Sequence, residues 1–275
     1  MSKPKIALIV LNRNLPSPTN ALCQRFLKFE DSAVFDLYVI EAGSDSDRLS
    51  DYCSWHVTDP DVVSQGFRAC RGFNFGLKKL YDEGRFLEYD YFFLVTNDSV
   101  FANEPILPTL IDEMDRHPWL GLLSPCSRRW GELDLLQGEP TRYFWHVQNT
   151  AYFVRRGFVE ALMNPTDQRR FFFDGENFRG YLAETELIAK GYANDWASGI
   201  TRRVFVEENE SHLLENSEKI RTDSYERNLA LYIEEGRLWL KGKYGFTSRW
   251  QMQMYARFWY DQFFQYHPEC DLYRI

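Results

Sequence analysis

Hydrophobic and polar positions alternate between two periods along the first third of the chain. Lys5 to Leu11 is an unbroken β-branched and aliphatic run, as expected of a strand buried on both faces. Asn20 to Phe29 spaces Leu22, Phe26 and Phe29 at helical intervals, and Phe35 to Ile40 reads as a second strand ending in the turn-rich EAGSDSD. Phe67 to Tyr81 sets Phe67, Cys70, Phe73, Leu77 and Leu80 three and four apart, which predicts an amphipathic helix. Tyr89 to Val95 is a third apolar strand, ending at Thr96-Asn97-Asp98. Strands alternating with helices predict an α/β fold whose parallel sheet is covered on both faces. Ligands of such sheets bind beyond the carboxyl ends of the strands. That rule selects three loops: Asn12 to Asn14, Glu41 to Asp47, and Thr96 to Ser99.

The second half is less regular. It predicts helices over Pro105 to His117, Phe158 to Met163 and Leu182 to Lys190. Strands are expected over Leu120 to Leu123, Phe144 to Val154 and Val204 to Val206, and the pattern is helical from Ser224 onward. No repeat and no Pro/Gly/Ser linker marks a boundary. One main domain is therefore expected over residues 1–215, with a C-terminal helical extension over 216–275 packed on it or forming a dimer contact.

Composition narrows the reading. The 275 residues suffice for one large core. With 40 Asp and Glu against 32 Lys and Arg, the net charge of -8 argues against a nucleic-acid partner held through its phosphates. The longest apolar runs fall well short of the ~20 residues that span a bilayer. The N-terminus shows no small-residue cleavage site, so a cytoplasmic location is expected. Five scattered cysteines with no CxxC pair argue against a disulfide framework or a structural zinc site. The excess is aromatic, with 22 Phe, 16 Tyr and 8 Trp, serving packing or ligand stacking. In RWQMQMYARFWYDQFFQYHPE the rings fall nearly all round a helix. Such a helix is buried, pairs with a second copy, or rests at the inner face of a membrane. Only Arg249 and Arg257 are basic there, which weakens the membrane reading.

Familiar motifs are absent: no GxGxxG, GxxxxGK[ST], GxSxG or HExxH. The loop after the first strand, LNRNLPSP, lacks the Gly-rich basic character of nucleotidyltransferases. Five segments in order carry the signal: KIALIVLNRN, DLYVIEAGSDSD, RACRGFNFGLKKL, YDYFFLVTNDS and FFFDGENFRGYLAETELIAKGY. Together they resemble the family 2 glycosyltransferases of the GT-A fold, most closely those that build bacterial surface polysaccharides with rhamnose and related sugars. The resemblance spans residues 5–195. It implies a Rossmann-like mixed sheet flanked by helices and a UDP-, dTDP- or GDP-sugar donor. It also implies a glycan or lipid-linked saccharide acceptor and a divalent Mg2+ or Mn2+.

Residue roles follow from the same resemblance. Glu41, in place of the usual Asp, would hold the base or ribose of the nucleotide. Asn12, Asn74 and Asn97 would contact the nucleotide sugar, with Gly76 leaving room for close approach. Arg71 would reach the diphosphate. Asp98 ends a metal motif whose first acid is replaced by Thr96, and His212 would complete the metal shell. Aligning AETEL on the family's E-D-x-D-L makes Glu184 the general base of an inverting transfer and leaves Ala183 where an acid is usual. Trp145, His146 and Asp174 would line the acceptor cleft, and Arg221 or Arg227 would touch the diphosphate. The substitutions at Thr96 and Ala183 also fit a rival reading, a sugar-nucleotide or glycan-binding module without catalysis.

Overall fold

The computed structural model describes residues 4–129, 131–147, 150–209, 218–220 and 223–275. Strand β1 (Ile6–Asn12) is buried along its whole length, as its unbroken apolar sequence requires. It is followed by α1 (Pro16–Phe29), β2 (Phe35–Ala42), β3 (Cys53–Val57), α2 (Pro60–Gln65), α3 (Ala69–Asp82), β4 (Tyr91–Thr96) and β5 (Ser99–Phe101). Then come α4 (Leu107–Arg116), β6 (Leu120–Cys126), α5 (Glu132–Leu135), β7 (Thr141–Tyr143), β8 (Ala151–Arg155) and α6 (Arg156–Leu162). The chain closes with α7 (Ala183–Tyr192), β9 (Ala197–Glu208), α8 (Tyr225–Tyr244) and α9 (Arg249–Tyr266).

Among the described residues the strands form one nine-stranded sheet in the order β3-β2-β1-β4-β8-β6-β9-β5, with β7 paired to β9. Strands β1 to β4 pair in parallel, whereas β8 runs antiparallel between β4 and β6. The alternation over the first third predicts a parallel sheet, and β1, β2 and β4 pair so; β8 makes the sheet as a whole mixed, as the resemblance to the GT-A fold implies. Among the described residues, the path from β6 to β8 carries the four-residue α5 and the short β7 rather than a long crossover helix, and β8 returns antiparallel to β6. Of the strand expected over Phe144 to Val154, the stretch from Ala151 onward is found, in β8, while β7 ends just before it at Tyr143.

Register sets the site. Asn12 stands opposite Glu41 and Leu11 opposite Thr96, so the tips of β2, β1 and β4 end level with one another. Helix α3 lies close across β1 and β2 because Gly72 and Gly76 face them. A Cβ at Gly72 would come 2.5 Å from the Leu11 side chain, and one at Gly76 would come 2.9 Å from Ile40. Gly76 thus serves helix-on-sheet packing rather than close approach of a ligand.

At the C-terminus, Ser224 caps α8 and a Ser248/Gln251 capping box opens α9. Helix α9 packs on α7, burying Met252, Ala256, Tyr260, Phe263 and Phe264. Its far side leaves Trp250, Met254 and Phe258 more than half exposed, at 60%, 72% and 52%. The rings of this segment therefore divide between the core, with Tyr260, Phe263 and Phe264 buried, and an exposed side. Among the described residues no helix is long and apolar enough to cross a membrane.

Candidate functional site

The carboxyl ends of β1, β2 and β4 carry a continuous polar relay. Asn12 Nδ2 donates to both Glu41 oxygens, at 3.0 and 2.9 Å, and Asn12 Oδ1 accepts from Asn97 Nδ2 at 2.9 Å. Asn97 also donates to the Thr19 hydroxyl at 3.1 Å. Glu41 further accepts from the Ser44 hydroxyl at 2.5 Å and the Ser50 backbone N–H at 2.7 Å. Glu41 is fully buried, so its carboxylate ties together the loops after β1 and β2. The expectation that it presents an edge to a nucleotide is corrected: its oxygens face inward and are already engaged.

Beyond the relay lies a cleft, open to solvent, whose wall includes Asn12, Arg13, Phe67, Arg68, Asp98 and Ile220. Asp98 is almost buried, and Thr96 Oγ1 donates to its Oδ1. Thr96 therefore orients the carboxylate that it accompanies in the motif. Two cations that the sequence reading passed over share this wall. Arg13 donates through Nη2 to the Val63 carbonyl at 2.9 Å and lies against Gly66. A Cβ at Gly66 would fall 2.2 Å from Arg13 Nη1, and its φ of +73° suits only glycine comfortably. Arg68 stands just before α3, where burial pushes its pKa below the usual arginine range. Its Nη2 donates to Asn228 Oδ1 at 2.9 Å. Only their proximity in the fold marks Arg13 and Arg68; no motif in the sequence does.

Other expected residues fall elsewhere. Asn74 is fully buried and uses its whole amide on the 169–173 loop. Nδ2 donates to the carbonyls of Arg169 and Phe173, both at 2.8 Å, and Oδ1 accepts from the N–H groups of Phe172 and Phe173. It is a clamp for that loop and has no group left for a ribose. Arg71 donates through Nε to the Gly175 carbonyl at 2.6 Å and stacks over Phe178 at 4.6 Å. It lines a neighbouring depression with Asp59 and Gln168, outside the cleft of Asp98. Asp174 is nearly buried, where Lys243 and Trp239 Nε1 donate to Oδ2 and the Glu176 N–H to Oδ1. Burial alone would raise its pKa, but these donors outweigh it and hold the carboxyl below its usual range. Asp174 anchors α8 rather than standing open to an acceptor. His212 and Arg221 lie outside the described residues.

Glu184 occupies the first turn of α7 and is partly buried. Burial pushes its carboxyl up to about 7, the range in which a carboxylate can accept a proton near neutrality. Its charge acts on the thiol of Cys70, and Ala69, the residue before it in α3, lines the cleft. Glu184 itself is not among the residues that line the cleft of Asp98. Trp145 is partly buried and packs against both the main core and the α8–α9 cluster. His146 beside it has its pKa lowered, by burial first and by the Arg249 charge second. Its Nδ1 meets no hydrogen-bond partner among the described residues.

No family model matches the sequence, and no curated protein matches it. Solved structures do match. A mannosyltransferase from Pyrobaculum calidifontis, in complex with GDP-Man and Mn2+, superposes with a TM-score of 0.54 at 11% identity, covering 94% of this chain and 74% of that one. Glucosyl-3-phosphoglycerate synthase from Mycobacterium tuberculosis, in complex with Mn2+, UDP-glucose and phosphoglyceric acid, gives 0.51 at 15% identity, covering 86% and 79%. At these identities the likeness is one of fold, and the fold is that of the GT-A glycosyltransferases.

Proposed function

We propose that a GT-A scaffold with this cleft is a glycosyltransferase, moving a sugar from a nucleoside-diphosphate donor to an acceptor hydroxyl. The observation that carries the reading is the meeting of Asp98, Arg13 and Arg68 in one cleft at the carboxyl ends of β1 and β4. Two guanidiniums supply forked donors for phosphate oxygens. The sequence lacks a P-loop or a Gly-rich dinucleotide turn that would bind the phosphates otherwise. The two structural relatives named above hold GDP-Man or UDP-glucose together with Mn2+, which supports the same donor class here.

A divalent Mg2+ or Mn2+ fits the chemistry of this site. Such ions take one or two carboxylates and leave the remaining positions to phosphate and water. Asp98, oriented by Thr96, would supply the carboxylate, with His212 as a further candidate ligand. The metal would neutralise charge on the departing diphosphate. The protein's own residues do the rest. Arg13 and Arg68 hold the diphosphate, and Asn12 with Asn97 keeps the strand tips level beneath it. Glu184 takes the proton of the acceptor hydroxyl while that oxygen bonds to the anomeric carbon. The anomeric carbon–phosphate oxygen bond breaks, and the nucleoside diphosphate leaves, with inversion. Trp145 and His146 offer a ring face and a directional nitrogen to a glycan or lipid-linked saccharide acceptor, in polysaccharide biosynthesis on the cytoplasmic side.

The test is a screen of UDP-, dTDP- and GDP-sugars, with and without Mn2+, by thermal shift and donor hydrolysis. A metal-dependent rise in melting temperature with slow hydrolysis is expected for one donor. No shift with any donor overturns the reading. Thr96 and Ala183, each where an acid is usual, favour a second reading, a binding module without catalysis. Binding of a donor with neither hydrolysis nor transfer supports that alternative.

A further inference from the structure

Glu41 turns inward, so the base of a donor nucleotide must be read by other groups. A second depression adjoins the donor cleft, and Gln65 and Phe67 line both. Its wall also carries Asp59, Asp61, Arg71 and Arg169. Two carboxylates beside two guanidiniums leave it close to neutral, which suits a phosphate poorly. They suit an uncharged ligand that presents donors and acceptors side by side.

The wall stands on fixed supports. Asp61 and Gln65 are four positions apart in α2 and share one face of that helix. Helix α2 is tied to the strand tips at two points. Arg13 Nη2 donates to the Val63 carbonyl at 2.9 Å, and a Cβ at Gly43, just after β2, would come 2.3 Å from the Val62 carbonyl oxygen. Phe67 is partly buried and lies 5.4 Å from the Phe75 ring, which meets Trp55 edge-on at 6.3 Å. Arg71 is anchored through Nε on the Gly175 carbonyl and over the Phe178 ring. Among the described residues its two Nη groups form no hydrogen bond, and neither do the side chains of Asp59, Asp61 and Gln65. Polar groups held in place yet unsatisfied by the fold are what a preorganised binding wall requires.

Guanine matches this set. Its N1–H and N2 amino group are two parallel donors, the counterpart of one carboxylate. Its O6 and N7 are two acceptors, the counterpart of an arginine fork. Its rings can stack on an aromatic side chain. Uracil and thymine offer a single imide N–H between two carbonyl oxygens, which a pair of carboxylates repels. Adenine sets a ring acceptor beside its amino donor on either edge, which fits neither a carboxylate nor a guanidinium.

We infer that this depression receives the nucleobase of the donor and that the base is guanine, so that the donor is a GDP-sugar. The inference rests on the donor-site reading above and deepens it. Asp59 and Asp61 accept from the N1 and N2 edge, Arg71 donates to the O6 and N7 edge, and Phe67 stacks on the rings. Gln65, common to both hollows, serves the ribose between them.

The experiment measures calorimetric Kd values on the full chain in the presence of Mn2+, with GDP, IDP, UDP, dTDP and ADP as probes. GDP should bind about tenfold or more tighter than UDP, dTDP or ADP. IDP lacks only the N2 amino group and should bind about tenfold more weakly than GDP, as expected for a lost hydrogen bond to a charged group. In a variant carrying both Asp59→Asn and Asp61→Asn the gap between GDP and IDP should close, while the Kd for UDP stays within about twofold of the parent. The comparison of GDP with IDP on the parent needs no variant and stands if the double substitution does not fold. Binding of UDP, dTDP or ADP as tight as that of GDP overturns the inference, as do equal Kd values for GDP and IDP or an undiminished gap in the variant. Absence of binding of all five probes by the parent overturns the donor-site reading, and this inference with it.

Discussion

The ammonium of Lys243 sits 2.7 Å from the Glu186 carboxylate and also donates to Asp174. It joins α8 to α7 and to the loop before it, between two carboxyl groups that are 3% and 0% exposed. Lys190 and the Tyr244 hydroxyl also reach Glu186 Oε1, at 2.7 and 2.6 Å. Lys243→Met would leave Asp174 without its cation while Glu186 keeps Lys190. Removing one partner of a fully buried pair costs about 3–5 kcal/mol. Partial exposure of Lys243 and the remaining Lys190 reduce this to about 2–3 kcal/mol. Urea unfolding checks the figure. A loss within about 0.5 kcal/mol, typical of a surface change, would show that the strap contributes little.

The same strap has an acid-side signature. Asp174 titrates below its usual range in the folded protein, so its stabilisation is present above the unfolded carboxylate value of about 3.9 and is lost as pH falls through the lower folded value. Lys243→Met removes the cation that depresses it. Stability of the variant should therefore fall less between pH 5 and 3 than that of the parent. Parallel stability curves over that window would contradict the assignment.

Glu184 predicts the opposite sign. Its carboxyl is raised to about 7, so the stability linked to its neutral form is fully present below the unfolded value of about 4.3 and is lost as pH rises through 7. Transfer needs the ionised form, so the rate should climb over the same window. Glu184→Gln should abolish the rising limb of the rate profile and flatten the stability decline. Near-normal transfer by a folded Glu184→Gln protein would remove Glu184 from the role of base.

Asn12 links Glu41 to Asn97, and its removal tests the relay. Asn12→Ala leaves the buried Glu41 carboxylate with only Ser44 and Ser50 as donors and deprives Asn97 of an acceptor. An unsatisfied buried polar group costs about 1–3 kcal/mol, so the melting temperature should drop measurably. Donor affinity should weaken as well, since Asn97 adjoins Asp98 at the tip of β4. An unchanged melting temperature would show that Glu41 finds other partners.

Legibility in the sequence followed burial. Strands β1, β2 and β4 read clearly because fully covered strands are continuous apolar runs, and their tips gave the location of the cleft. Edge strand β3, CSWHV, escaped notice because its residues are mostly only partly covered and its polarity mixed. The direction of β8 was not encoded in periodicity, since alternation is the same either way along a strand. At the site, residue type did not reveal orientation. Glu41 and Asn74 have the chemistry for a ligand yet spend it inside the fold, Glu41 on the strand tip and loop beside it and Asn74 on the distant 169–173 loop. Arg13 and Arg68 showed no motif because their meeting depends on how the loop after β1 and the start of α3 converge. Lys243 and its partner Glu186 lie 57 positions apart in sequence, beyond the reach of any local pattern.

Thr96 offers the most direct test of the departure from the usual metal motif. Its hydroxyl donates to Asp98 Oδ1 and lies 3.2 Å from the Thr150 carbonyl, so it stands where an acid is usual and acts on the acid that is kept. Thr96→Val preserves the shape and removes the donor. Loss of such an outer partner typically costs 10–100-fold in metal affinity. The Mn2+ concentration giving half-maximal donor hydrolysis should rise by about tenfold, with kcat at saturating Mn2+ changed far less. Thr96→Asp adds a second hard oxygen ligand and should move the half-saturating concentration the other way. If both variants respond to Mn2+ as the parent does, Thr96 does not tune the metal site, and Asp98 is held by its backbone surroundings instead.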